Sequence, residues 1–121
     1  MARLLFVDDD PFTLETLARA AEVLGHQAIL ASSGEEAVKL ASQEMPDLIF
    51  TDMRLPDIDG VTLISLLKSQ EAVTGIPMFV LSASPAEDAE ARSEAAGAKA
   101  YINKPIRLQT LLDIIQEYTS D

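Results

Sequence analysis

Five short apolar runs, separated by stretches with helical spacing, restrict this chain more than any other feature. The runs are Arg3–Val7, Gln27–Ala31, Asp47–Thr51, Met78–Leu81 and Lys99–Asn103. Runs this short and this continuously apolar suit strands buried on both faces. Strands of that kind, alternating with helices, pair in parallel through right-handed crossovers. The predicted fold class is therefore α/β, a doubly wound five-stranded parallel sheet with helices on both faces. Periodicity does not give the order of the strands.

The intervening segments carry helix punctuation. Asp10 is an N-cap with Pro11 at the first helical position, and Leu14, Leu17, Ala18, Ala21 and Leu24 recur on one face before Gly25, a left-handed stop. Ser32 or Ser33 caps a second helix to about Gln43, with Ala37, Leu40 and Ala41 inward. A third helix starts at Gly60, turns Val61, Ile64 and Leu67 to one side, and is broken by Gly75-Ile76-Pro77. The fourth opens at Ser84-Pro85, with Glu87 completing a capping box. Its inward residues are alanines (Ala86, Ala89, Ala96), so it buries about half the area of a leucine-faced helix. Gly97 ends it. The fifth runs from Arg107 to about Thr119 with Leu108, Leu111, Leu112 and Ile115 along one side.

The 121 residues are the size of one domain, expected to span 1–121, and 48% hydrophobic content supplies a core. No linker, repeat or low-complexity segment divides the chain. Without cysteine there is no disulfide or thiolate metal site. No secretory leader is visible and no apolar run approaches ~18 residues, so a soluble cytoplasmic protein without membrane contact is expected. Nine Lys and Arg against 20 Asp and Glu give a formal charge of -11. That balance disfavours direct nucleic-acid binding, which needs cations to displace condensed counterions, and it permits a divalent cation or a basic partner.

Open parallel sheets bind ligands at the carboxyl ends of their strands. On that edge fall Asp8 and Asp9 after the first strand, Asp52 after the third, Ser82 after the fourth, and Lys104 before Pro105 after the fifth. Three carboxylates within ~5 Å repel one another by a few kcal/mol unless a cation joins them. All-oxygen anionic donors select a hard ion, and Mg2+ fits. The ion and Lys104 would neutralise a phosphoryl group carried on Asp52 as an acyl phosphate. Ser82 and backbone N–H groups after Asp52 would donate to its oxygens. Asp10 is explained by capping alone. His26, the only histidine, reads as a surface-loop residue and cannot build a multi-histidine metal site. Asp57 and Asp59 read as turn residues before Gly60.

Four stretches in this order resemble the receiver domain of two-component response regulators: Leu5-Phe6-Val7-Asp8-Asp9-Asp10, Pro46 to Gly60, Leu81-Ser82-Ala83, and Gly97 to Pro105. The likeness covers Arg3 to about Thr119. It implies a flavodoxin-like strand order of 2-1-3-4-5. It implies phosphoryl transfer onto Asp52 from a phosphohistidine of a histidine kinase or histidine phosphotransfer protein. Asp8, Asp9, Asp52 and the backbone carbonyl of Arg54 would hold Mg2+. Lys104 would contact the phosphoryl group, Ser82 and Tyr101 would form the switch, and the Lys104–Pro105 bond would be cis. Arg54 and Ser84 would tune the phosphoryl lifetime. The switch would act on the surface of the fourth helix, fifth strand and fifth helix, where a helix anchored by few large side chains is cheap to move.

That surface would control a downstream protein target or a fused output domain; no output domain follows the fifth helix in this chain. The implied chemistry is self-phosphorylation and self-dephosphorylation, not turnover of a separate substrate. A dehalogenase-like phosphatase would need a second acid where Asp52-Met53-Arg54 has an arginine. A flavin or nucleotide carrier would need a glycine-rich loop where Asp8-Asp9-Asp10-Pro11 stands. A receiver that signals without phosphate would lack one of the core residues, and none is missing.

Overall fold

The computed structural model describes residues 1–83 and 89–119. Strands β1 (Arg3–Val7), β2 (Gln27–Ala31), β3 (Leu48–Asp52), β4 (Met78–Ser82) and β5 (Ala100–Asn103) form one parallel sheet in the order β2-β1-β3-β4-β5. They alternate with α1 (Pro11–Val23), α2 (Gly34–Glu44), α3 (Gly60–Lys68), α4 (Ala89–Ala96) and α5 (Leu108–Thr119). The doubly wound class and the strand order match the expectations. No helix among the described residues is long and apolar enough to cross a membrane.

Alternation along the strands builds two cores. Leu4, Phe6, Leu48, Phe50, Phe79 and Leu81 face α1 and α5. Leu5, Val7, Ile49, Met78 and Val80 face the other way, toward α2, α3 and Ala98. Phe6, Phe50 and Phe79 lie in register across the three central strands, and their rings stack at 5.3 and 5.0 Å. Tyr118 of α5 meets Phe79 edge-on at 5.3 Å, an arrangement that adds orientation preference to area burial.

Caps set the helix starts. Asp10 accepts from Phe12 N–H, and Ser33, rather than Ser32, accepts from Glu36 N–H. Gly25 has the left-handed conformation expected of it, φ +83°. The inward faces differ from expectation in places. On α3, Leu63 is buried with Ile64 and Leu67, whereas Val61 in the first turn is only half-buried. On α5, Leu108 is 48% exposed and the buried side chains are Leu111 and Ile115. On α4 the buried residues are Ala89 and Ser93, and Ser93 stays satisfied by donating to the Ala89 carbonyl at 2.7 Å. The capping box Ser84/Glu87 and Ala86 fall outside the described residues.

Two further departures have clear causes. Helix α3 stops at Lys68, well before Gly75. Ser69 donates back to the Leu66 carbonyl, Lys68 Nζ reaches the Thr74 carbonyl at 2.9 Å, and buried Val73 pins the intervening turns. His26 is half-buried rather than a plain surface residue. Its Nδ1 accepts from Ala2 N–H at 2.8 Å and holds the chain start beside β2.

Asp10, Asp57 and Asp59 all accept backbone N–H groups at helix starts, and all have lowered pKa values. The leading causes are Thr13 for Asp10, the Gly34 N–H for Asp57 and the Thr62 N–H for Asp59. A lowered folded pKa stabilises the fold above the ordinary value, and that stability is lost as the group protonates. The melting temperature is expected to drop as pH falls from about 5 through the ordinary value of 3.8 and below. Thermal unfolding of wild type and Asp59→Asn across that range checks this. The gap between the two should close at the acid end, and a constant gap would contradict it.

Candidate functional site

The sheet order places β1 between β2 and β3, which is the point where the winding reverses. Asp8 leaves β1 there with its N–H bonded to the Ala31 carbonyl at 3.1 Å, and its carboxylate is 2% exposed. Asp9 follows and is exposed. Asp52 is the last residue of β3 rather than the first beyond it, in register with Leu81. One oxygen from each of Asp8, Asp9 and Asp52 lies within 4.8 Å of the others.

Lys104 closes the cluster. Its N–H donates to the Ser82 carbonyl at 2.8 Å, carrying the β4–β5 ladder one residue past the strand end. Its Nζ stands 2.6 Å from Asp8 Oδ2 and 3.0 Å from Asp52 Oδ1. The bond to Pro105 is cis. One ammonium thus faces three carboxylates. Burial works to depress the Lys104 pKa, but the bonds to Asp8 and Asp52 outweigh it and hold the value above the usual lysine range. Asp52 moves up as well, an unusual direction for a carboxylate in an ion pair. Burial dominates, Lys104 offsets only part of it, and Asp8 adds like-charge repulsion.

The loop after Asp52 folds back on the strand. Met53 N–H donates to the Leu81 carbonyl at 3.0 Å, Gly60 N–H donates to the Met53 carbonyl at 2.7 Å, and Arg54 forms an antiparallel bridge with Asp59. Gly60 is required by space: a Cβ there would sit 2.3 Å from the Asp52 carbonyl oxygen. Asp59 caps α3 through Thr62 N–H at 2.7 Å. Asp57 does more than shape a turn, since it reaches across to α2.

Ser82 is buried at the end of β4 and Tyr101 is half-buried on β5. Both line a cleft of about 210 Å³ together with Met53, Arg54, Ala89 and Arg92. Arg92 of α4 approaches Asp59 Oδ2 at 3.4 Å across this cleft. On the other side, Lys104 borders an apolar groove of about 590 Å³ between α1 and the segment after β5. Phe12 on its rim is 78% exposed. Ser84 lies outside the described residues. The sequence reading missed Arg92, Phe12 and the reach of Asp57. Arg92 and Asp57 meet partners distant in the chain, with no local motif to announce them.

Comparison with known proteins agrees with this geometry. Residues 4–116 match the response regulator receiver domain family. The chain is similar to the polar-differentiation response regulator DivK of Brucella ovis, 31% identical over 98% of this chain and 96% of that one. It superposes on a putative response regulator from Chloroflexus aurantiacus with a TM-score of 0.91 and 31% identity, covering 99% of this chain and 98% of that one. It also resembles the receiver domain of a Pseudomonas aeruginosa sensor histidine kinase, with a TM-score of 0.89 and 27% identity over 99% and 98% of the two chains. That structure has a magnesium ion coordinated in its active-site cleft.

A carboxyl group whose folded pKa is raised destabilises the fold while ionised, and the penalty is relieved as pH falls. Asp52→Asn is therefore expected to raise the melting temperature at pH 7 in chelator-treated protein. The gain should vanish below the ordinary carboxylate range. Unfolding of both proteins at about pH 7 and about pH 3 checks the sign, and a less stable variant at pH 7 would contradict it.

Proposed function

The chain belongs to the response regulator receiver domains of two-component signalling, a family of phosphoacceptor switches rather than enzymes, and on that footing we propose that Asp52 is the phosphoacceptor. The observation that carries this is Lys104 reaching both Asp8 and Asp52 within a cluster of three carboxylates. Family membership implies a histidine kinase as the partner class. The immediate donor would be a phosphohistidine on that kinase or on a phosphotransfer protein. A carboxylate oxygen of Asp52 forms a bond to phosphorus while the P–N bond breaks, and the imidazole leaves with the electron pair and takes up a proton.

The donor set fits Mg2+. It consists of oxygens only, from Asp8, Asp9 and Asp52, with an excess of negative charge that Lys104 does not cancel. The Arg54 carbonyl would complete the protein ligands. When bound, Mg2+ would supply charge neutralisation to the phosphoryl oxygens. Lys104 keeps its proton across the physiological range and offers fixed positive charge on the opposite side. Ser82 Oγ would donate to a phosphoryl oxygen, and Tyr101 would move within the cleft it shares with Ser82, biasing the surface of α4, β5 and α5. Arg54, exposed at the cleft, and Ser84 would tune the lifetime. We assign the kinase-side partner to the groove beside Lys104, whose rim carries Phe12.

Incubation with Mg2+ and acetyl phosphate should add one phosphoryl group to wild type and none to Asp52→Asn, as read by intact mass. Lys104→Ala should slow uptake by roughly 10²–10³-fold, the scale for removing one electrostatic stabiliser. Undiminished uptake by Asp52→Asn would refute the assignment. Phe12→Ala should leave uptake from acetyl phosphate unchanged and slow transfer from a phosphohistidine protein roughly ten-fold, the loss of a modest contact. Equal effects on both donors would remove Phe12 from the partner face.

A further inference from the structure

We infer that Asp57 is a positioning residue that fastens the loop carrying Arg54 to helix α2, so that the metal-holding arrangement proposed above depends on a contact outside it. Asp57 Oδ1 accepts from Gly34 N–H at 2.9 Å and Oδ2 from Glu35 N–H at 2.8 Å. The first two residues of α2 thus donate to a carboxylate 22 and 23 positions away in sequence. Helix N-termini leave exactly such donors without intrahelical partners, and the helix dipole favours an anion there. These two bonds lower the Asp57 pKa, so the group is ionised when it makes them.

Packing reinforces the bonds. A Cβ on Gly34 would lie 2.5 Å from Ile58 Cγ1, so the loop side chain occupies the space the glycine leaves. Ser33 already caps the same helix by accepting from Glu36 N–H at 3.1 Å. Asp57 is therefore not needed to start α2. Its bonds add a second restraint, and what they restrain is the loop. On its other side the loop is closed by Gly60 N–H to the Met53 carbonyl and by the Arg54–Asp59 bridge. The stretch from Met53 to Gly60 is thus held between β3 and α2. Arg54 lies in that stretch, so the position of its carbonyl depends on both restraints.

The test compares Asp57→Ala, Asp57→Asn and Ser33→Ala. Amide exchange of the metal-free proteins reads loop order directly. Asp57→Ala should speed exchange at Gly60 at least several-fold, whereas Ser33→Ala should speed it only at the start of α2. Calorimetric Mg2+ titration without phosphodonor should show affinity falling roughly three- to ten-fold in Asp57→Ala, below the 10–100-fold typical of direct partners of a ligand. Asp57→Asn, which keeps one acceptor oxygen, should fall between Asp57→Ala and wild type. Ser33→Ala should match wild type in affinity while melting lower. Unchanged Gly60 exchange in Asp57→Ala, or equal behaviour of Asp57→Ala and Ser33→Ala, would overturn the inference whatever the ion does. Failure of wild type to bind Mg2+ would instead count against the parent proposal and leave the exchange result to decide this one.

Discussion

Lys104 holds its ammonium between Asp8 and Asp52, at 2.6 and 3.0 Å, on an edge that also carries Asp9. Most of the sheet's design can be understood from the need to sustain that crowding. Carboxylates placed so close raise one another's cost of ionisation, and here burial adds to it at Asp52. A single lysine lowers the cost without removing it. A second fixed cation would cancel more of the negative charge and would leave a mobile ion less to do. The site retains an excess of negative charge at the edge of a hydrophobic sheet. Phe6, Phe50 and Phe79 stack across β1, β3 and β4, the three strands that end at or beside the cluster.

Much of this was legible in the residues, for a physical reason. Strands buried on both faces must be apolar throughout, so the five runs could be placed to within about one residue. The errors at their ends are informative. Asp52 and Ser82 are polar, which made the strands look finished, yet both remain in the ladder. The backbone pairs regardless of side chain, and the polar residues are carried on the last rung rather than in a following loop. Candidate site residues were legible for the same reason, because a parallel sheet gathers whatever ends its strands. The cluster of Asp8, Asp9, Asp52 and Lys104 required only the fold class.

What escaped was long-range and local in space. The bond from Ala2 to His26, the reach of Asp57 to Gly34 and the approach of Arg92 to Asp59 join residues 24, 23 and 33 apart. No periodicity encodes such pairs, since each depends on how a loop is laid over a neighbouring element. Helix faces failed more mildly. Val61 and Leu108 lie in first turns, where a helix enters at the sheet edge and its stripe has not yet come under cover. Helix α3 looked longer than it is because no glycine or proline interrupts the sequence between Gly60 and Gly75, although the chain beyond Lys68 proceeds through turns that bring Val73 inward.

The two flanks of the loop between β3 and α3 are held with unequal strength. Toward α2, Asp57 accepts two backbone N–H groups at 2.9 and 2.8 Å, charge-assisted bonds to atoms that cannot swing away. Toward α4, among the described residues, the loop is linked by a side-chain pair of Arg92 and Asp59 at 3.4 Å, with the two side chains 48% and 41% exposed. Pairs of that kind contribute at most about 1 kcal/mol and are weakened by salt. Helix α4 itself buries only Ala89 and Ser93 among its described side chains. Among the described residues, the loop is therefore held more firmly toward α2 than toward α4. The cleft lined by Ser82, Tyr101 and Arg92 lies on the more weakly held side. The asymmetry follows from which partners are backbone and which are long side chains.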